Sequence, residues 1–94
     1  MRLPAIGDIW LVNYPYLTPG NMEKIRPAII KKINEENDTI VVQKLSTKWH
    51  KGSRIFQHPK MKRQTYLSKE RITIRDCNLI RYLGREENER TGRK

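Results

Sequence analysis

Arg26 closes a polar stretch containing Pro15, Pro19 and Gly20 and opens an aliphatic one, Pro27-Ala28-Ile29-Ile30. A guanidinium at such a loop-to-strand junction presents a planar fork that matches two phosphate oxygens and stays charged at every relevant pH. The plainer alternative is a surface arginine paired with Glu23 or Asp8. The charge distribution also favours an anionic ligand. Lys48, Lys51, Arg54, Lys60, Lys62, Arg63, Lys69, Arg71 and Arg75 face a single acid, Glu70, so +8 of the formal +10 falls within less than a third of the chain. Clustering of this kind fits a polyanionic partner, because each phosphate neutralised releases counterions. A solvated surface that only aids solubility is the competing explanation. Tyr16 and Trp49, flanked by polar residues, are placed to stack on unpaired bases, whereas Trp10 sits in an apolar run and is assigned to the core.

Other chemistries find no residues to carry them. Two separated histidines, one cysteine and no histidine-carboxylate pair at helical spacing fall short of a metal-ligand set. Neither a Walker loop nor a GxGxxG is present, so no cofactor is expected. Cys77 allows no intrachain disulfide and is expected as a buried or half-buried thiol. The longest apolar run, Ile9 to Val12, is far short of the roughly 20 residues that span a bilayer, and no signal-like stretch opens the chain. A cytosolic protein without a membrane partner is expected.

Positioning Arg26 requires a β scaffold. Ile9 to Asn13, Arg26 to Ile33 and Thr39 to Leu45 read as strands, the last two forming a hairpin across Asn34-Glu35-Glu36-Asn37-Asp38. Tyr14 to Lys24 is a long loop broken by proline and glycine. Arg54 to Gln57 suits a short strand, Thr65 to Leu67 and Arg71 to Ile74 two strands or one bent one, and Asp76 to Asn78 a turn. Leu79 to Leu83 fits a short helix or a last strand equally well. A 94-residue chain with this punctuation predicts one mainly β domain over residues 1–84, a small, strongly bent SH3-like barrel with little helix. Residues 85–94 carry almost no apolar side chain and are expected as a flexible charged tail.

Gly7-Asp8-Ile9-Trp10-Leu11-Val12, followed across the loop by Ile25-Arg26-Pro27-Ala28-Ile29-Ile30, resembles the MazF/PemK (Kid-like) family of toxin endoribonucleases of toxin-antitoxin systems. The similarity resumes at Thr73-Ile74, Leu79 and Tyr82-Leu83-Gly84. It implies a MazF/Kid-type barrel, shortened here at the C-terminal helix, that cuts single-stranded RNA without a metal. It also implies a homodimer and an acidic antitoxin protein that binds in the RNA groove. By position Ser46, with Thr47 in reserve, takes the place of a hydroxyl that contacts the scissile phosphate or the 2′-hydroxyl; from the residues alone, such hydroxyls are turn or cap residues. Cleavage would need a cation for the phosphorane, Arg26, and a proton-transfer group, His50 or Glu23. Lys48, Lys51, Arg54 and Lys62 would line the RNA path with Tyr16 and Trp49.

The chain also departs from the pattern. Where some members carry a catalytic Arg-x-Asp it has Leu67-Ser68-Lys69, the family's Arg before Thr is Ile72, and its Asp after Ile is Arg75. A non-catalytic SH3-like module that binds nucleic acid, or a regulatory module that binds protein, therefore stands as the alternative function.

Overall fold

In the computed structural model, residues 3–14, 24–57 and 62–85 are described. Six strands follow in chain order: β1 (Asp8–Tyr14), β2 (Lys24–Asn34), β3 (Thr39–Ser46), β4 (Arg54–Phe56), β5 (Thr65–Arg75) and β6 (Leu79–Arg85), with one 3-10 turn, Asp76–Asn78, before β6. They form a single antiparallel sheet in the order β4-β5-β3-β2-β1-β6, curled into a half-barrel. The mainly β expectation holds, and the curl suits a small β-barrel. Among the described residues there is no α-helix, and none long and apolar enough to cross a membrane.

Burial on both faces explains why the apolar runs are continuous instead of alternating. Trp10 pairs with Ala28 and Ile30 with Val42, placing these residues on one face in a cluster with Val12, Tyr14, Ile40 and Ile74. Ile9 pairs with Ile29 on the other face, where Leu45, Phe56 and Leu67 complete a second cluster. Ala28, Ile29 and Ile30 thus serve two cores in succession, and all three are fully buried.

Local chemistry fixes the strand ends. The Asn34 side-chain carbonyl accepts from the backbone N–H of Glu36 at 3.1 Å and of Asn37 at 3.3 Å, and Asp38 takes a left-handed conformation, φ 56°. A short polar side chain tolerates that region and can close the turn on itself. In β5 the pairs Gln43↔Arg71 and Leu45↔Leu67 leave one residue on β3 opposite three on β5, Ser68, Lys69 and Glu70. This bulge bends the strand, and the Gln43 amide donates to the Ser68 carbonyl at 2.7 Å. Residues 65–75 are accordingly one bent strand.

Leu79 to Leu83 lies in a strand, not a helix, because Leu79 pairs with Val12 and Tyr82 sets its ring edge-on to Trp10 at 5.9 Å. Two expectations need correction. Arg85, placed at the start of the tail, is the last residue of β6 and pairs with Asp8. Cys77 is exposed, not buried or half-buried, because the 3-10 turn that carries it buries no residue.

Asp8 is fully buried at the opening of β1. One carboxylate oxygen accepts from the Ala5 N–H at 2.9 Å and the Trp10 indole N–H at 3.2 Å; the other accepts from Arg85 at 2.8 Å. The same guanidinium donates to the Ile6 carbonyl at 3.2 Å and passes over Gly7, where a Cβ would stand 3.1 Å from its Nη2. Gly7 also holds φ 93°, a region that L side chains avoid.

Candidate nucleic-acid interface

The start of β2, the end of β3 and the loop from Ser46 to Ser53 carry most of the candidate residues. Arg26 lies on β2 opposite the fully buried Val12, two residues before the fully buried Ala28. The backbone beneath it is therefore anchored in the first core cluster while its side chain is exposed. One N–H of the guanidinium donates to the carbonyl of Ile25 at 2.9 Å. No described residue forms an ion pair with Arg26, and the proposed partner Asp8 is instead paired with Arg85. The remaining N–H donors of the fork are available to a ligand.

Register relates Arg26 to Ser46. The β2–β3 ladder pairs Ile30 with Val42, Ile29 with Gln43 and, last, Ala28 with Lys44. Two residues further along the same register stand Arg26 and Ser46. β3 ends at Ser46, whereas β2 runs on to Lys24 beside β1, so the two residues lie just past the last β2–β3 pair. The Ser46 hydroxyl oxygen accepts from the Lys48 N–H at 3.0 Å, which leaves its proton free to donate. On its other side Ser46 pairs with Tyr66, which in turn pairs with Ile55.

No protein-family model matches this chain, and no curated protein matches it.

The loop after Ser46 is short and ordered by its own hydroxyls. Ser53 accepts from the His50 N–H at 3.3 Å and donates its N–H to the His50 carbonyl at 2.9 Å. Thr47, Lys48, Trp49, His50 and Lys51 are all exposed on it, Trp49 at 61%. Arg54 follows on β4, exposed and opposite Leu67, whose own partner on β3 is Leu45. Ser46, Thr47, Lys48, Trp49, His50, Lys51 and Arg54 are thus brought to one loop and its adjoining strand. Lys62 is exposed three residues ahead of β5. Glu23 and Tyr16 lie outside the described residues, as do His58, Lys60 and residues 86–94.

Two cations of this region escaped the choice of site residues. Lys44 ends the β2–β3 ladder opposite Ala28, on the face that carries Arg26. Counting back from the Asn34 turn would set it opposite Ile29; the register shift between Ile30 and Lys32 moves it to Ala28. Lys69 lies in the β5 bulge with its stem over Gly52, and no local sequence signal reports that contact. Among the described residues no three His, Cys, Asp or Glu side chains are grouped to hold a metal ion.

Proposed function

We propose that this chain is a toxin endoribonuclease of the MazF/PemK (Kid-like) type, acting on single-stranded RNA in the cytosol as a homodimer and held silent by an acidic antitoxin. In this reaction a 2′-hydroxyl gives up its proton and its oxygen attacks the adjacent phosphorus. The bond to the 5′-oxygen breaks and that oxygen takes up a proton, leaving a 2′,3′-cyclic phosphate and a 5′-hydroxyl. Atoms and charge balance without a metal. Arg26 stabilises the crowded phosphorane, a task for a preorganised cation outside bulk water. Ser46, with Thr47 beside it, positions the phosphate. His50 or Glu23 transfers the protons.

The observation that carries the proposal is Arg26 itself: a rigidly based, exposed guanidinium without an acidic partner among the described residues, two residues past the β2–β3 pair Ala28↔Lys44 on β2 as the Ser46 hydroxyl is on β3. Incubating the purified chain with mixed RNA in the presence of chelator, followed by end-group analysis, tests it. Cyclic phosphate ends that vanish in Arg26→Ala are the expected result. Intact RNA with the unaltered protein rejects the nuclease.

One observation favours a second reading. At the bend of β5 the chain offers Leu67 and Lys69, so that strand brings no carboxylate to the place where the resemblance would put one. A barrel that binds RNA without cutting it fits this substitution, and retention of intact RNA in the same assay identifies that case.

A further inference from the structure

We infer that Lys69 is a phosphate-binding residue of the RNA path, set against the Ser46–Ser53 loop by the absence of a side chain at Gly52; the inference rests on the RNA-binding reading above. Lys69 belongs to β5, seventeen residues beyond Gly52 in sequence, and lies over the loop because the β4–β5 pairing Arg54↔Leu67, carried two residues further, sets Gly52 opposite Lys69. A Cβ built on Gly52 would stand 2.5 Å from Lys69 Cδ, 3.1 Å from Cε and 3.2 Å from Cγ. The methylene stem therefore lies over the loop backbone while Lys69 as a whole stays exposed, the usual way a lysine covers a surface and keeps its ammonium in water. Gly52 also has φ 88°, so the turn that makes room for the stem itself favours glycine.

The loop beneath that stem carries charge of one sign. Residues 46–57 contain Lys48, Lys51 and Arg54 and no Asp or Glu. Lys69 forms no ion pair with a described residue, although Glu70 is its neighbour. Lys48, Lys51, Arg54 and Lys69, all exposed and drawn from two separate segments, give this surface a positive potential that attracts an anion. A phosphate of a single-stranded RNA fits there next to Ser46, whose N–H···O contact with Lys48 starts the same loop. Lys69 would then fix the strand beside the scissile position, with no part in the bond changes.

The test is binding of a 2′-O-methyl oligoribonucleotide, in which the attacking oxygen is blocked, measured from about 50 to 200 mM salt. Relative to the unaltered protein, Lys69→Ala is expected to bind about three- to fivefold more weakly at the low-salt end, with a slope of log K against log salt smaller by about 0.7. Lys69→Arg should restore the slope. Gly52→Ala, which displaces the stem but keeps the charge, should weaken binding at least about twofold. Lys32→Ala, on the exposed hairpin end of β2, is the control and should leave the slope unchanged. An unaltered slope in Lys69→Ala, or an equal loss in Lys32→Ala, overturns the assignment of Lys69 alone while binding and cleavage by the parent protein stand. A parent protein that neither binds nor cuts RNA removes the nuclease reading and this inference together.

Discussion

Arg85 and Arg26 flank opposite ends of β1, the first opposite Asp8 and the second opposite Val12. Four residues along a strand, about 13 Å, separate their partners. Arg85 is 32% exposed and spends its guanidinium on Asp8 and on the Ile6 carbonyl, closing β6 onto the start of β1. Arg26 is exposed and spends one N–H on its own Ile25 carbonyl. The same chemical group is a structural clasp at one end and, among the described residues, a fork without an acidic partner at the other. What separates them is the residue across the ladder: a buried carboxylate in one case, a buried valine in the other. A guanidinium set on a firm apolar base without a carboxylate is preorganised for an anion that arrives from outside.

The comparison breaks most visibly at Arg26. Arg26→Ala should lower RNA cleavage by about a thousandfold, the scale of losing one preorganised transition-state donor, with an unchanged thermal midpoint. Arg26→Lys should recover little, since an ammonium cannot make the bidentate contact. Initial rates on a fluorogenic RNA together with thermal melts read both quantities. A variant that loses stability along with activity would make Arg26 a second clasp.

At the other end the signs exchange. Asp8→Ala removes the acceptor of Arg85, the Trp10 indole N–H and the Ala5 N–H at once. Breaking a buried pair from one side costs several kcal/mol, and Arg85 recovers part of that through water because a third of it is already exposed. A loss of about 3 kcal/mol in urea unfolding is expected, with the activity of the remaining folded protein unchanged. Asp8→Asn, which keeps an acceptor for Trp10, should cost roughly half as much. Equal stability of parent and Asp8→Ala would refute the clasp.

How much of this was legible depended on whether the determining contact was local. β1, β2 and β3 announce themselves through Ile9 to Val12, Ala28 to Ile33 and Ile40 to Leu45, whereas Arg26 and Ser46 were preferred through the family resemblance, and the register shift between Ile30 and Lys32 that relates them left no mark in the sequence. The type of β6 could not be read, because Leu79, Ile80, Tyr82 and Leu83 satisfy helix and strand spacing alike; Val12 and Trp10 decide it from across the sheet. The bend of β5 was half legible, two apolar runs with a polar break, but its cause is a mismatch with β3. Pairing of Asp8 with Arg85 spans 77 residues and left no trace in spacing, so Asp8 stood as a partner for the wrong arginine. Cys77 was assigned from the average habit of free thiols, and an exposed 3-10 turn overrode that habit.

Trp49 sharpens the contrast further. It is 61% exposed on a loop whose backbone is tied by Ser46 and Ser53, and burying it against a base would recover apolar area that the barrel leaves in water. Stacking on a single-stranded base contributes about 1 to 3 kcal/mol, so Trp49→Ala should weaken binding of a 2′-O-methyl oligoribonucleotide by about tenfold. Trp49→Phe should recover most of that loss, and thermal stability should not move. Quenching of the Trp49 fluorescence on titration gives an independent reading, with Trp10→Phe used to silence the indole in the core. Undiminished affinity in Trp49→Ala would confine RNA recognition to the cations.

The smallest effect belongs to Ser46. Its hydroxyl oxygen already serves the Lys48 N–H, so Ser46→Ala costs a turn contact as well as a donor at the end of β3. Cleavage should fall about tenfold, the loss of one modest hydrogen bond to the phosphate, while stability drops by no more than about 1 kcal/mol. Ser46→Thr keeps the hydroxyl and should keep most of the rate. The double variant Arg26→Ala/Ser46→Ala then asks whether the two act on one phosphate. Effects of groups that hold the same atom are not additive, so the second substitution should cost far less than tenfold once Arg26 is gone. Full additivity would place Ser46 on a different part of the RNA from Arg26.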